Sequence, residues 1–120
     1  MGRLQTLAKR AQYASIYQQG STYLDNLIVM KVLPNGLNLS RYGFSVTKRL
    51  GEAVKRNRLR RLLREIVRLQ SIRPGWDIIL IVRPRAATAN YHQLERAVSE
   101  LFARARLLQT GDESNSATFN

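Results

Sequence analysis

The sequence contains no cysteine, so structural disulfides and thiolate metal sites are excluded and the redox compartment is left open. Acidic residues are scarce, eight Asp and Glu against 20 Lys and Arg, and they are scattered along the chain. No D-x-D or H-E-x-x-H spacing gathers them into a metal cluster, whereas a protein nuclease working through divalent metal needs clustered carboxylates. The single histidine, His92, has no obvious carboxylate partner nearby in sequence, which predicts a surface or helix-cap role rather than a general base. Gly43 and Gly51 stand apart from the spacing that a phosphate-binding loop requires. No apolar run approaches the ~20 residues of a membrane helix. The opening "MGRLQTLAKR" lacks the apolar stretch of a secretory signal, so the expected location is the cytoplasm, with no membrane partner.

What is present is one domain's worth of chain, 120 residues with 44% hydrophobic content, enough to bury a core without metal or disulfide staples. The net charge of +12 is unevenly spread. Residues 48–73 hold ten basic groups and two acids, Glu52 and Glu65, and so carry about two thirds of it. Such focusing points to a polyanion, either nucleic acid or an anionic membrane surface. Arg outnumbers Lys 16 to 4, which favours phosphate recognition because the planar guanidinium binds phosphate oxygens in a bidentate manner.

Leu7, Ala11, Ala14 and Tyr17 recur at helical spacing and predict a short helix over 7–19 with Gly20 as its stop. "NLIVMKVLP" reads as a strand, Pro34-Asn35-Gly36 as a turn, and "LNLSRYGFSVT" as a second strand, together a hairpin. "WDIILIV", after Pro74-Gly75, is the continuous apolar run of a buried strand. Tyr91, Leu94, Val98, Leu101 and Phe102 predict a last helix over 90–108. The domain is expected over 1–110, and the aperiodic polar tail 111–120 is expected to be disordered. The order of elements implies an α+β sandwich of helices on a small sheet.

Between the second and third strands lies "AVKRNRLRRLLREIVRLQ", residues 53–70. At 100° per residue, Leu62, Leu63, Ile66, Val67 and Leu69 fall within about 80° of Leu59, while Asn57, Arg60, Arg61, Arg64 and Arg68 occupy the opposite arc. Arg56 and Arg58 flank the apolar stripe in the first turn. A charge run is most often a solvated face, but solvated faces mix signs. Here Arg56/Arg60, Arg60/Arg64 and Arg64/Arg68 are successive like-charge (i, i+4) pairs, and cations near the helix start oppose its dipole. The arrangement costs the free protein stability, which favours a polyanion-binding face. Tyr13 and Tyr17, also at (i, i+4), share a helix face and suit either core packing or stacking on unpaired bases.

The stretch "RYGFSVTKRLGEAVKRNRLRRLLRE" (41–65) closely resembles the signature region of the bacterial ribonuclease P protein subunit: a strand R-x-G-[LF]-[ST]-V, a basic pair, then G-x-A-V-x-R-N-R with its basic triad. Tyr13, Tyr17 and Gly20 fall where that family has two aromatics and a glycine, and "WDIILIVRP" matches its C-terminal half. The resemblance implies an α-β-β-β-α-β-α fold like the second domain of ribosomal protein S5, with a left-handed β-α-β crossover through the basic helix. The extra strand is expected near Ser21 to Tyr23. It also implies a ribonucleoprotein endonuclease that removes 5′ leaders from precursor tRNA. In that enzyme the RNA subunit carries the active site and most of the Mg²⁺, no catalytic residue or metal site lies in the protein, and no obligate protein partner is needed. Carried onto this sequence, Lys48, Arg49, Lys55, Arg56, Asn57, Arg58, Arg60, Arg61, Arg64 and Arg68 would dock the catalytic RNA. Tyr13, Tyr17 and Lys31 would grip the single-stranded leader. Tyrosine stands at 13 and 17 where phenylalanine is common, which keeps stacking ability, and Thr6 stands where arginine is frequent. The alternative is a non-enzymatic ribosomal or other structured-RNA-binding protein using the same face. A helix-turn-helix DNA reader fits less well, because no short partner helix precedes the basic one.

Overall fold

The structure, a computed structural model, describes residues 4–109; the tail 111–120 lies outside the described residues. Five strands, β1 (Gln5–Thr6), β2 (Ser21–Leu24), β3 (Ile28–Pro34), β4 (Arg41–Ser45) and β5 (Trp76–Val82), form one mixed sheet in the order β1-β4-β5-β3-β2. Helix α1 (Arg10–Gln19) precedes β2, α2 (Ala53–Arg68) joins the parallel neighbours β4 and β5, and α3 (Tyr91–Arg104) follows β5. The expected α-β-β-β-α-β-α order is present, preceded by the two-residue β1, which runs parallel to β4 and carries Thr6 opposite Tyr42.

The hairpin expected between β3 and β4 does not form. β5 lies between them, antiparallel to β3 and parallel to β4. The reason lies in composition: Ile78, Ile79 and Leu80 are fully buried, and a strand apolar on both faces belongs in the centre of a covered sheet. The Pro34–Gly36 turn is real, with Gly36 at φ 73°, but it docks on the Gly75 turn: Asn35 N–H donates to Gly75 O at 2.9 Å and Gly75 N–H to Leu39 O at 3.0 Å. Asp77, the one buried charged residue among those described, fixes this register. It accepts from Arg41 Nε and Nη2 at 2.8 and 2.7 Å and from Asn35 Nδ2 at 2.9 Å, tying β4, β5 and the turn together. This hydrogen bonding raises the Arg41 pKa above its ordinary value.

Alternation along the strands separates two cores. Met30, Val32, Ile78 and Leu80 face α2 and α3 in the larger one. Ile79, with Leu33 and Ile81, faces Leu7, Tyr13 and Ile16 of the N-terminal segment in the smaller. Leu7 is buried, as its place in the helical pattern suggests, yet it precedes α1, which starts at Arg10. Gln12 Oε1 accepts from the N–H groups of Ala8 and Lys9 at 2.9 and 3.0 Å and so starts the helix. Leu69, expected at the edge of the core stripe of α2, about 80° from Leu59 at 100° per residue, is 63% exposed at the helix C-cap. The last helix stops at Arg104, and Arg106 (φ 60°) reverses the chain in a conformation that L residues rarely adopt.

Two substitutions test this packing. A Cβ on Gly43 would lie 2.6 Å from Tyr13 Oη and 2.7 Å from its Cε1, so the bare backbone of β4 is what allows the Tyr13 ring to lie on the sheet. Gly43→Ala is expected to destabilise the protein by about 1–3 kcal/mol in urea unfolding and to displace Tyr13. Burial pushes the Tyr42 phenol from 10.0 up to about 12. An unfolded Tyr42 ionises at the lower value, so stability present below pH 10 is lost as pH rises toward about 12. Tyr42→Phe should remove roughly 2–3 kcal/mol of that loss, read from unfolding curves across the same window.

Candidate nucleic-acid interface

The cationic helix forms for the reason that its pattern suggests. Leu59, Leu63, Ile66 and Val67 are buried and Leu62 packs partly against the same core, so the opposite arc is held outward. Gly51, at φ 117°, turns the chain into α2, and Lys55 lies across it.

The ten basic-helix residues proposed from the sequence divide into three groups. Three arginines reach back to neighbouring loops: Arg56 Nε donates to Gly51 O at 3.2 Å, Arg58 Nη2 to Ala89 O at 3.3 Å and Arg60 Nη2 to Val46 O at 3.2 Å. Each keeps further N–H groups for a ligand. Asn57 accepts from Arg60 Nη1 at 3.0 Å. Arg68 is paired within the helix, its Nη2 donating to Glu65 at 2.7–2.8 Å, and this hydrogen bond raises its pKa. By contrast, the side chains of Lys48, Arg49, Lys55, Arg61 and Arg64 make no hydrogen bond or ion pair among the described residues. All five are exposed. They lie on the short 3-10 helix Lys48–Leu50 and on α2, and none has a countercharge among the described residues.

Tyr13, Tyr17 and Lys31 lie on the other side of the sheet. Lys31, Ile79 and Gly43 are paired neighbours across β3, β5 and β4, so they share a face, and Tyr13 covers Gly43. With strands about 4.8 Å apart, Lys31 stands roughly 10 Å from the Tyr13 position. Its Nζ donates to Thr22 Oγ1 at 2.7 Å. Tyr13 is half-buried, and burial together with the neighbouring Tyr17 phenol raises its pKa. Tyr17 is 45% exposed and contributes little to the core, so the pair joins one packed ring to one open ring. The two groups of residues are therefore separated by the sheet but linked along β4, where Gly43 lies under Tyr13 and Val46, three residues on, accepts from Arg60. Three extended residues span about 10 Å.

Sequence reasoning places Arg60 on the free arc and misses its tether, since the acceptor belongs to a distant segment. It also overlooks Glu95 as a partner for His92: one helical turn on, Glu95 Oε1 lies 3.9 Å from His92 Nδ1, although the imidazole is 85% exposed. Val54, 77% exposed at the head of the cationic face, is an apolar residue that the core stripe leaves out. Among the described residues no three His, Asp or Glu side chains gather as metal ligands. Asp77 and Glu65 are each paired with an arginine. No helix among the described residues is long and apolar enough to cross a membrane.

The sequence profile of the family described as Ribonuclease P matches residues 1–106. The ribonuclease P protein component of Dehalococcoides mccartyi strain CBDB1 is 44% identical over 116 residues, 97% of each chain. Among solved structures, the RNase P protein from Thermotoga maritima superposes with a TM-score of 0.77 at 27% identity, covering 83% of this chain and 96% of that one. A Staphylococcus aureus RNase P protein mutant with defective mRNA degradation activity superposes with a TM-score of 0.79 at 29% identity, covering 86% and 89%. With the signature strand on β4, the Arg-Asn-Arg core on α2 and this match over most of its length, the chain belongs to the bacterial ribonuclease P protein family.

Proposed function

We propose that this subunit docks on the catalytic RNA of ribonuclease P through α2 and the preceding 3-10 helix, and holds the 5′ leader of precursor tRNA against α1 and the sheet. The observation that carries the reading is the set of five exposed cations that have no side-chain partner among the described residues, Lys48, Arg49, Lys55, Arg61 and Arg64. Phosphates would supply the missing countercharge, releasing counterions as they bind. Arg56, Arg58 and Arg60 act differently: their carbonyl tethers hold the helix at a fixed angle to three loops while spare N–H groups face the RNA.

On the opposite face, Tyr17 offers an open ring, Tyr13 a ring fixed by Gly43, and Lys31 a cation two strands away. Stacking needs no base-specific hydrogen bond, so this grip tolerates varied leader sequences. Cleavage chemistry, including the Mg²⁺ that activates water, is assigned to the RNA subunit. The scattered acids support that assignment. The protein lowers repulsion between two polyanions and positions the substrate.

Reconstitution of precursor-tRNA cleavage with a bacterial catalytic RNA tests each part. Lys55→Ala/Arg61→Ala/Arg64→Ala removes no side-chain hydrogen bond or ion pair among the described residues, so the fold should persist while RNA affinity drops and the salt slope falls by about one for each phosphate that is no longer neutralised. Tyr13→Ala/Tyr17→Ala should cost roughly 1–3 kcal/mol per stacked base for precursor tRNA and leave mature tRNA binding nearly unchanged. Wild-type affinity and slope in the triple variant would remove α2 as the docking face. RNA-free protein should not process precursor tRNA in Mg²⁺; if it does, the active site is not confined to the RNA.

A further inference from the structure

At the sheet edge farthest from β4, the turn between β2 and β3 meets α3 and leaves an open hollow of about 280 Å³. Three strand spacings, about 14 Å, separate this edge from β4, so the hollow is distinct from the cationic surface of α2. Its α3 wall is Gln93, Arg96, Ala97 and Glu100, the i, i+3, i+4 and i+7 positions of one helix face. Its other wall is Asp25, Asn26 and Leu27. Arg96 and Glu100 are spaced to form an (i, i+4) ion pair, yet neither side chain makes a hydrogen bond or ion pair among the described residues. A guanidinium and a carboxylate thus line one hollow without satisfying each other.

The remaining polar groups are largely committed in ways that leave one edge open. Asp25 Oδ2 accepts from Leu27 N–H at 2.9 Å, which leaves Oδ1 available. Gln93 Oε1 accepts from Asn90 N–H at 2.9 Å in the helix cap, which leaves its amide donors available. Leu27 and Ala97 supply apolar surface for a flat ring. Two more arginines brace the turn from behind: Arg83 Nη1 donates to Asp25 O at 3.0 Å and Arg104 Nη1 to Leu24 O at 2.7 Å.

We infer that the hollow is a subsite for an unpaired guanine of an RNA chain. Guanine presents two adjacent donors, N1–H and N2–H, to a carboxylate, and two adjacent acceptors, O6 and N7, to a guanidinium fork. Adenine, cytosine and uracil each lack the paired donors. A base read in this way must be out of a duplex, because its Watson–Crick edge is used. The inference does not depend on the docking role of α2, since it concerns different residues at another edge of the sheet.

Amide NMR titration of the full chain with guanosine, adenosine, cytidine and uridine monophosphates, with inorganic phosphate as control, tests it. Guanosine monophosphate should move the amides of Asn26, Leu27 and Ala97 and bind roughly 5- to 100-fold more tightly than the other three, the range for a good bidentate base contact. Glu100→Gln, at an exposed side chain with no partner among the described residues, should abolish that preference while RNA binding through α2 persists. Equal responses to all four nucleotides or to phosphate alone, shifts confined to residues 48–68, an absence of shifts, or an undiminished preference in Glu100→Gln would each overturn the assignment.

Discussion

Burial of Leu59, Leu63, Ile66 and Val67 against the sheet is the interaction on which the rest depends. It holds α2 in one rotational setting and so keeps a nearly acid-free arc of arginine and lysine in solvent. At roughly 1.5–3 kcal/mol per fully buried aliphatic side chain, this stripe far outweighs like-charge repulsion of a few tenths of a kcal/mol per (i, i+4) pair. A helix that would fray alone can therefore be maintained with its charge unneutralised. The arginine tethers to Gly51, Ala89 and Val46 add direction, coupling the helix to the loops around it. The cost of the charge is borne by the fold, and the proposed docking of RNA phosphates on α2 would recover it.

The sheet divides the labour. One face carries the large core and α2, the other carries α1 with its two tyrosines, and β4 links them through Gly43 and Val46. On the proposed function, a ligand stacked on the tyrosines and one docked on α2 would approach from opposite sides of the sheet. The sheet is rigid where it needs to be, because Asp77 joins Arg41 and Asn35 at the end of β4 and β5.

Much of this is legible in the sequence where a period repeats often enough. The stripe of α2 spans several turns, and its cationic arc follows from simple geometry. The run Trp76–Val82 announces a buried strand by being apolar at both parities. What the pattern misses depends on partners distant in the chain. Pro34-Asn35-Gly36 marks a reversal, but nothing local says that β5 will occupy the slot between β3 and β4. β1 has two residues, too few to show any period. Leu69 lies at the edge of the stripe and at the C-cap of α2, where no core surface faces it. The tethers of Arg56, Arg58 and Arg60 end on backbone carbonyls, which carry no sequence signature. Spacing alone identifies the tyrosine pair, while the reason that one ring lies flat, a glycine 30 residues later, becomes evident only in three dimensions.

The central claim is that the folded chain carries a self-repelling cationic surface awaiting a polyanion. Thermal unfolding of the free protein as a function of sodium chloride tests it most directly, because screening length falls from about 30 Å at 0.01 M to about 8 Å at 0.15 M. Chloride is preferred to sulfate, which stabilises folded proteins by exclusion from their surfaces. The account predicts that the unfolding midpoint rises with salt over this range as repulsion among Lys48, Arg49, Lys55, Arg61 and Arg64 is screened. A midpoint that stays flat or falls would contradict it, showing that the surface charges are already balanced within the free protein.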